Sequence, residues 1–102
     1  MPEYVSAMKV SDLAEGSMAA LDVKGVHVLL AKIGGEVSAV AGICTHEATD
    51  LGLGFMIEDR VVCPLHLSQF DLKTGQVLSP PAEISLKRFN VKIEDETIFV
   101  EV

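Results

Sequence analysis

The sequence predicts an all-β protein, an antiparallel β-sandwich base with a small subdomain inserted between its strands. Three observations lead there. The final stretch alternates: Phe89, Val91 and Ile93 face one way and Arg88, Asn90 and Lys92 the other; after Asp95-Glu96, Ile98, Val100 and Val102 alternate with Thr97, Phe99 and Glu101. That two-residue period belongs to a strand with one buried face. Between residues 18 and 41, three strand-length apolar runs are separated by Lys24-Gly25 and Gly34-Gly35, and glycine in such a pair supplies the positive φ of a tight hairpin without steric cost. Nowhere does a helical period persist for about ten residues or more.

Taken in order, residues 4–10 alternate loosely and fit an edge strand, and Ser11-Asp12-Leu13-Ala14-Glu15-Gly16 reads as a turn containing at most one helical turn. Residues 18–23, 26–32 and 36–41 form a three-stranded meander. Residues 42–53 break the pattern with Gly, Thr, Asp and metal-ligating side chains, so they form a loop. Strand character resumes over 55–62 around a turn at Glu58-Asp59 and delivers Cys63 at its end. Phe70-Asp71-Leu72 and Gln76-Val77-Leu78 flank Lys73-Thr74-Gly75, a small hairpin that would brace the loop after Cys63. Pro80 and Pro81 then prevent a central strand, since proline lacks the ladder donor. The expected division of this single 102-residue domain is a base of about 1–42 and 82–102 and a subdomain of about 43–81.

With 49% hydrophobic residues and interspersed charge the chain is globular. Its apolar runs are far shorter than the roughly 18 residues of a membrane span. Met1-Pro2-Glu3-Tyr4-Val5 lacks the basic and apolar regions of a signal peptide. A cytoplasmic location is expected, where cysteines stay reduced and available to metal. Fifteen acidic residues against eight basic give a net charge of −7, which disfavours nucleic acid as a partner. The same acidity suits steering onto a basic docking patch, or simple solubility.

Chemistry concentrates in Cys44-Thr45-His46 and Cys63-Pro64-Leu65-His66. These two stretches hold both cysteines and two of the three histidines, with sixteen residues between His46 and Cys63. His27, in an apolar run with no ligand-spaced neighbour, reads as an ordinary satisfied side chain. A structural zinc would use the Cys2His2 set as one tetrahedron, but familiar zinc spacings pair Cys with Cys and His with His. A loop mixing one of each suits a two-iron cluster in which two cysteines hold one iron and two histidines the other. A redox disulfide between Cys44 and Cys63 is a third reading, which gives the histidines no purpose. Outside this set there is no spare 2-His-1-carboxylate triad, no Gly-rich nucleotide loop and no nucleophile–base pair, so no catalytic residue is expected.

The pattern C-x-H-x16-C-x2-H, continued by Leu67-Ser68-Gln69-Phe70-Asp71-Leu72-Lys73-Thr74-Gly75 and Pro80-Pro81-Ala82, resembles the Rieske [2Fe-2S] ferredoxins. These are soluble electron carriers of aromatic-ring dioxygenase systems. Leu51-Gly52-Leu53-Gly54 extends the likeness, which covers the whole chain. The resemblance implies the Rieske iron–sulfur fold, with the inserted subdomain binding the cluster. It implies one [2Fe-2S] cluster, with Cys44 and Cys63 on the first iron and His46 and His66 on the second. It also implies a one-electron carrier between a flavin-dependent reductase and a terminal oxygenase or similar acceptor. The Rieske-like small subunits of nitrite reductases are the nearest alternative, but they often lack the ligands, all four of which are present here. A zinc-stabilised binding module would use the same four residues.

Two neutral imidazoles in place of two thiolates leave an oxidised cluster uncharged, so adding an electron costs less than at an all-cysteine site. The potential should fall in the window of roughly −150 to +300 mV rather than near −400 mV. Ser68 occupies the position of a serine that donates to the cluster in high-potential respiratory members, whereas Phe70 stands where those have a tyrosine. One hydroxyl donor of two predicts a low to intermediate potential. Leu65, Leu67 and Pro81 fit either an apolar docking rim around the histidines or packing within the subdomain. Glycines 42, 52 and 54 and Pro64, Pro80 and Pro81 fit fixed loop backbone near the cluster as well as ordinary turn chemistry.

Overall fold

The computed structural model describes residues 3–44, 49–64, 67–79 and 84–102. The glycine pairs act as expected. β2 (Ser17–Val23), β3 (Val26–Ile33) and β4 (Glu36–Ala41) form an antiparallel meander. Its first turn has Lys24 and Gly25 at φ 52° and 80°, its second Gly34 and Gly35 at 61° and 80°, the paired positive angles of a hairpin turn whose twist matches its strands. Glu15 supports the second turn, its carboxylate accepting from the Gly34 and Gly35 amides at 2.7 Å each.

A short β9 (Arg88–Phe89) completes this sheet in the order β2-β3-β4-β9. A second sheet has the order β1-β11-β10, from β1 (Tyr4–Lys9), β11 (Thr97–Glu101) and β10 (Val91–Glu94). At its end Glu3 and Val102 exchange both backbone hydrogen bonds, at 2.9 and 3.0 Å. A third sheet, lying between β4 and β9 in sequence, is β5 (Phe55–Ile57), β6 (Arg60–Val62), β7 (Gln69–Asp71) and β8 (Val77–Ser79), antiparallel throughout and in that order. Among the described residues there is no α-helix; two 3-10 turns, Val10–Asp12 and Leu51–Leu53, are present. The all-β class stands.

The β2-β3-β4-β9 sheet is packed against on both faces at its centre. Leu29, Ala31 and Val40 pack with Leu51, Val61, Phe70 and Leu72 on the side of the third sheet. Val28, Leu30 and Ala39 pack with Ile98 and Val100 of β11 on the other. Four consecutive β3 residues, 28–31, are therefore fully buried, and β3 reads as an unbroken apolar run because neither face meets water.

Two expectations are refined. The tail alternation over 88–93 looked like one strand, yet it divides at Asn90: Phe89 and Arg88 pair with Ala39 and Val40 of β4, while 91–94 pair with β11. Phe89 and Val91 enter the same core, so the pattern runs through the break unmarked. The small hairpin after Cys63 is one half of a four-stranded sheet, whose three-residue strands are too short to show a period. Pro80, Pro81 and Ala82 lie outside the described residues.

Candidate metal centre

Each cysteine opens a loop, and both loops are closed in the same way. The chain leaves β4 through Gly42 and Ile43, and Ile43 forms a β-bridge with Asp50. The Leu51 amide donates to the Gly42 carbonyl at 2.8 Å, and the Cys44 amide to the Thr49 carbonyl at 2.8 Å. The second loop leaves β6 after Val62, whose partner Gln69 begins β7. There the Cys63 amide donates to the Ser68 carbonyl at 2.8 Å, and Leu67 closes the return with φ 60°. In both loops the cysteine amide reaches the carbonyl five residues ahead, leaving the thiol at the first position.

Both cysteines are buried, Cys44 at 3% and Cys63 at 0% exposure. They share one apolar core with Leu51, Val61, Phe70 and Leu72. Ser68 is fully buried beside Cys63, and Phe70 is buried in the same core. Between the loops, Asp50 caps the 3-10 turn by accepting from the Gly52 amide at 2.8 Å. Gly54 follows that turn, where a Cβ would stand 2.1 Å from the Val62 carbonyl oxygen and 3.2 Å from Pro64 Cδ. No side chain fits between this turn and the strand that delivers Cys63.

His46 and His66 lie outside the described residues, as does Leu65; Leu67 is well exposed. The third histidine holds a feature that sequence reading missed. His27 Nδ1 is 2.8 Å from Asp22 Oδ1 and Nε2 is 2.9 Å from Asp50 Oδ1. Hydrogen bonding to Asp50, then to Asp22, raises its pKa above the ordinary 6.5 against the effect of burial. No spacing marks the pair, because Asp50 is 23 residues away.

Thiolates are soft ligands that suit iron–sulfur clusters, and a buried thiolate needs a cation beside it. Two buried cysteines opening matched loops in one apolar core, with glycine where the backbones approach, fit such a group. The fold and these two thiols fit an iron–sulfur electron-transfer protein.

Comparison with known proteins agrees. Residues 3–90 match the Rieske [2Fe-2S] domain, and the chain belongs to that family. It is 34% identical over 99 residues to the 3-phenylpropionate/cinnamic acid dioxygenase ferredoxin subunit of Shigella boydii, covering 96% of this chain and 92% of that one. It is 30% identical over 100 residues to the ferredoxin component of the naphthalene 1,2-dioxygenase system of Pseudomonas putida, covering 98% and 96%. The Sphingomonas yanoikuyae B1 ferredoxin has the same fold, with a TM-score of 0.90 at 26% identity over 98% of this chain and 99% of that one. The protein is thus a one-electron carrier with one Rieske-type [2Fe-2S] cluster as its cofactor. Among the described residues no helix is long and apolar enough to cross a membrane.

Proposed function

We propose that this chain is the ferredoxin of an aromatic-ring dioxygenase system in the cytoplasm, taking electrons from a flavin-dependent reductase and delivering them to a terminal oxygenase. Cys44 and Cys63 hold the first iron, and His46 and His66 hold the second. The subdomain of about residues 43–81 carries these ligands on a base of about 1–42 and 82–102. The observation that carries the reading is the pair of cysteine-led loops closed by the same five-residue hydrogen bond, in a chain similar from end to end to dioxygenase ferredoxins.

When bound, the cluster supplies a one-electron couple within the Rieske range. The chain's own residues set its surroundings. Cys44 and Cys63, buried with Val61, Phe70 and Leu72, keep water from the thiolate side. Each histidine would ligate through one ring nitrogen and keep the other for a hydrogen bond or a proton, which would make the histidine side the electron exit. The buried Ser68 hydroxyl would donate to the bound cluster. The exposed Leu67 would give a docking partner an apolar contact.

An electron paramagnetic resonance spectrum of the dithionite-reduced protein tests this. The expected result is a rhombic signal with an average g clearly below that of all-cysteine [2Fe-2S] proteins, lost in both Cys44→Ser and His66→Ala. Colourless protein that contains zinc and gives no signal would overturn it.

A further inference from the structure

We infer that His27 is a positioning residue for the first ligand loop, an imidazolium that ties both sides of the loop's neck to the central sheet and so fixes where Cys44 stands. The inference rests on the ligand assignment proposed above and concerns how one of those ligands is held.

The geometry specifies the protonation state. Both ring nitrogens lie within 2.9 Å of a carboxylate oxygen. An ionised carboxylate only accepts, and a neutral imidazole has a single N–H, so it would turn a lone pair toward one of the two aspartates. Only the cation donates to both. Asp50 is further engaged with the Gly52 amide, and its own pKa is lowered, chiefly by the His27 bond.

The ring reaches both sides of the neck. On the outgoing side Nε2 meets Asp50, the bridge partner of Ile43. On the incoming side the ring lies against Gly42, where a Cβ would be 2.6 Å from His27 Cδ2. The Gly42 amide also donates to the His27 carbonyl at 3.1 Å. Gly42 is two residues before Cys44. From β2, Asp22, the cross-strand partner of His27, fixes the ring from behind. The charged groups facing the ring are thus Asp22 from β2 and Asp50 from the loop; the chain leaving β4 brings the Gly42 backbone.

The brace has a defined pH range. Because the His27 pKa is raised in the folded protein, its contribution is complete below 6.5 and is lost as pH rises through the raised value. The Asp50 pKa is lowered, so its contribution is present above 3.8 and is lost as pH falls through the lowered value. Near neutrality, therefore, alkali releases the neck.

The test compares loss of the cluster's visible absorption to EDTA at pH 6 and pH 9 in the holoprotein and in His27→Phe, Asp50→Asn and the double variant. Phe keeps a ring against Gly42 and removes both donors. At pH 6, each single variant should lose colour several-fold faster than the unmodified protein, the double variant no faster than the singles, and the gap should narrow at pH 9. An equal ratio at both pH values, or additive single effects, would overturn the inference and leave His27 as packing alone. Should His27→Phe fail to hold a cluster, the His27 Cε1 proton is titrated by NMR in the unmodified protein and in Asp50→Asn. A pKa above the ordinary value that falls in Asp50→Asn supports the brace, and one at or below it overturns the brace. Failure of the ligand assignment looks different: Cys44→Ser would retain full colour whatever the titration of His27.

Discussion

Ser68 is, among the described residues, the buried polar side chain of the core, fully enclosed next to the cysteine whose amide its carbonyl accepts. With Phe70 lacking a hydroxyl, Ser68 is the side chain of this segment proposed to donate to the cluster. Removing one hydrogen bond to a charged group costs about 1.5 kcal/mol, and for a one-electron couple a tenfold change in equilibrium is about 59 mV. Ser68→Gly should therefore lower the midpoint by tens of millivolts, up to about 60 mV. An unchanged midpoint in protein-film voltammetry would reduce Ser68 to a packing and loop-closing role. At this scale the sequence was most informative where chemistry depends on residue type and local spacing. Cys44 and Cys63 could be singled out for that reason. The partners of His27 could not, since Asp22 and Asp50 resemble any solvated aspartate until the fold brings them to one ring.

The central sheet gives each face of β3 a separate task. Leu29 packs into the core that holds both cysteines, whereas Leu30 packs into the core shared with β11. Truncating either buried leucine should cost about 2–5 kcal/mol, the usual range for a transfer term plus a cavity. Chemical denaturation of Leu29→Ala and Leu30→Ala should accordingly give comparable losses. Only Leu29→Ala should also hasten cluster loss to a chelator, because its cavity opens beside the thiolates; equal chelator sensitivity would mean that the two cores are not independent. Element by element, the meander and β11 were readable because glycine turns and a two-residue period are local signals. The division of the tail at Asn90 was not, since Phe89 of β9 and Val91 of β10 enter one core while pairing with different strands, and Ile93, which the alternation puts on the same face, is instead 48% exposed. The sheet β5-β6-β7-β8 was half visible: its turns have clear sequences, but pairing of β6 with β7 depends on the ligand loop between them.

For the whole molecule, a net charge of −7 over 102 residues makes association with a basic partner a long-range effect. Screening length falls from about 10 Å at 0.1 M salt to about 3 Å at 1 M. In stopped-flow reduction by its reductase, the second-order rate constant should therefore drop by about tenfold or more over that range. A flat response would assign the acidity to solubility alone. The class of the fold was legible at this scale, but not the layering, because an apolar run does not say how many sheets cover it. The doubled hydrogen bond between Glu3 and Val102 carries a last consequence. Because these two residues lie side by side at one end of the same sheet, a short linker could join them and new ends could be opened in an exposed turn such as Asp95-Glu96, far along the chain from both cysteines and from the His27 brace. The same adjacency lets the unit sit within a longer polypeptide as an insertion, entering and leaving through neighbouring strands without disturbing the loops that hold the thiols.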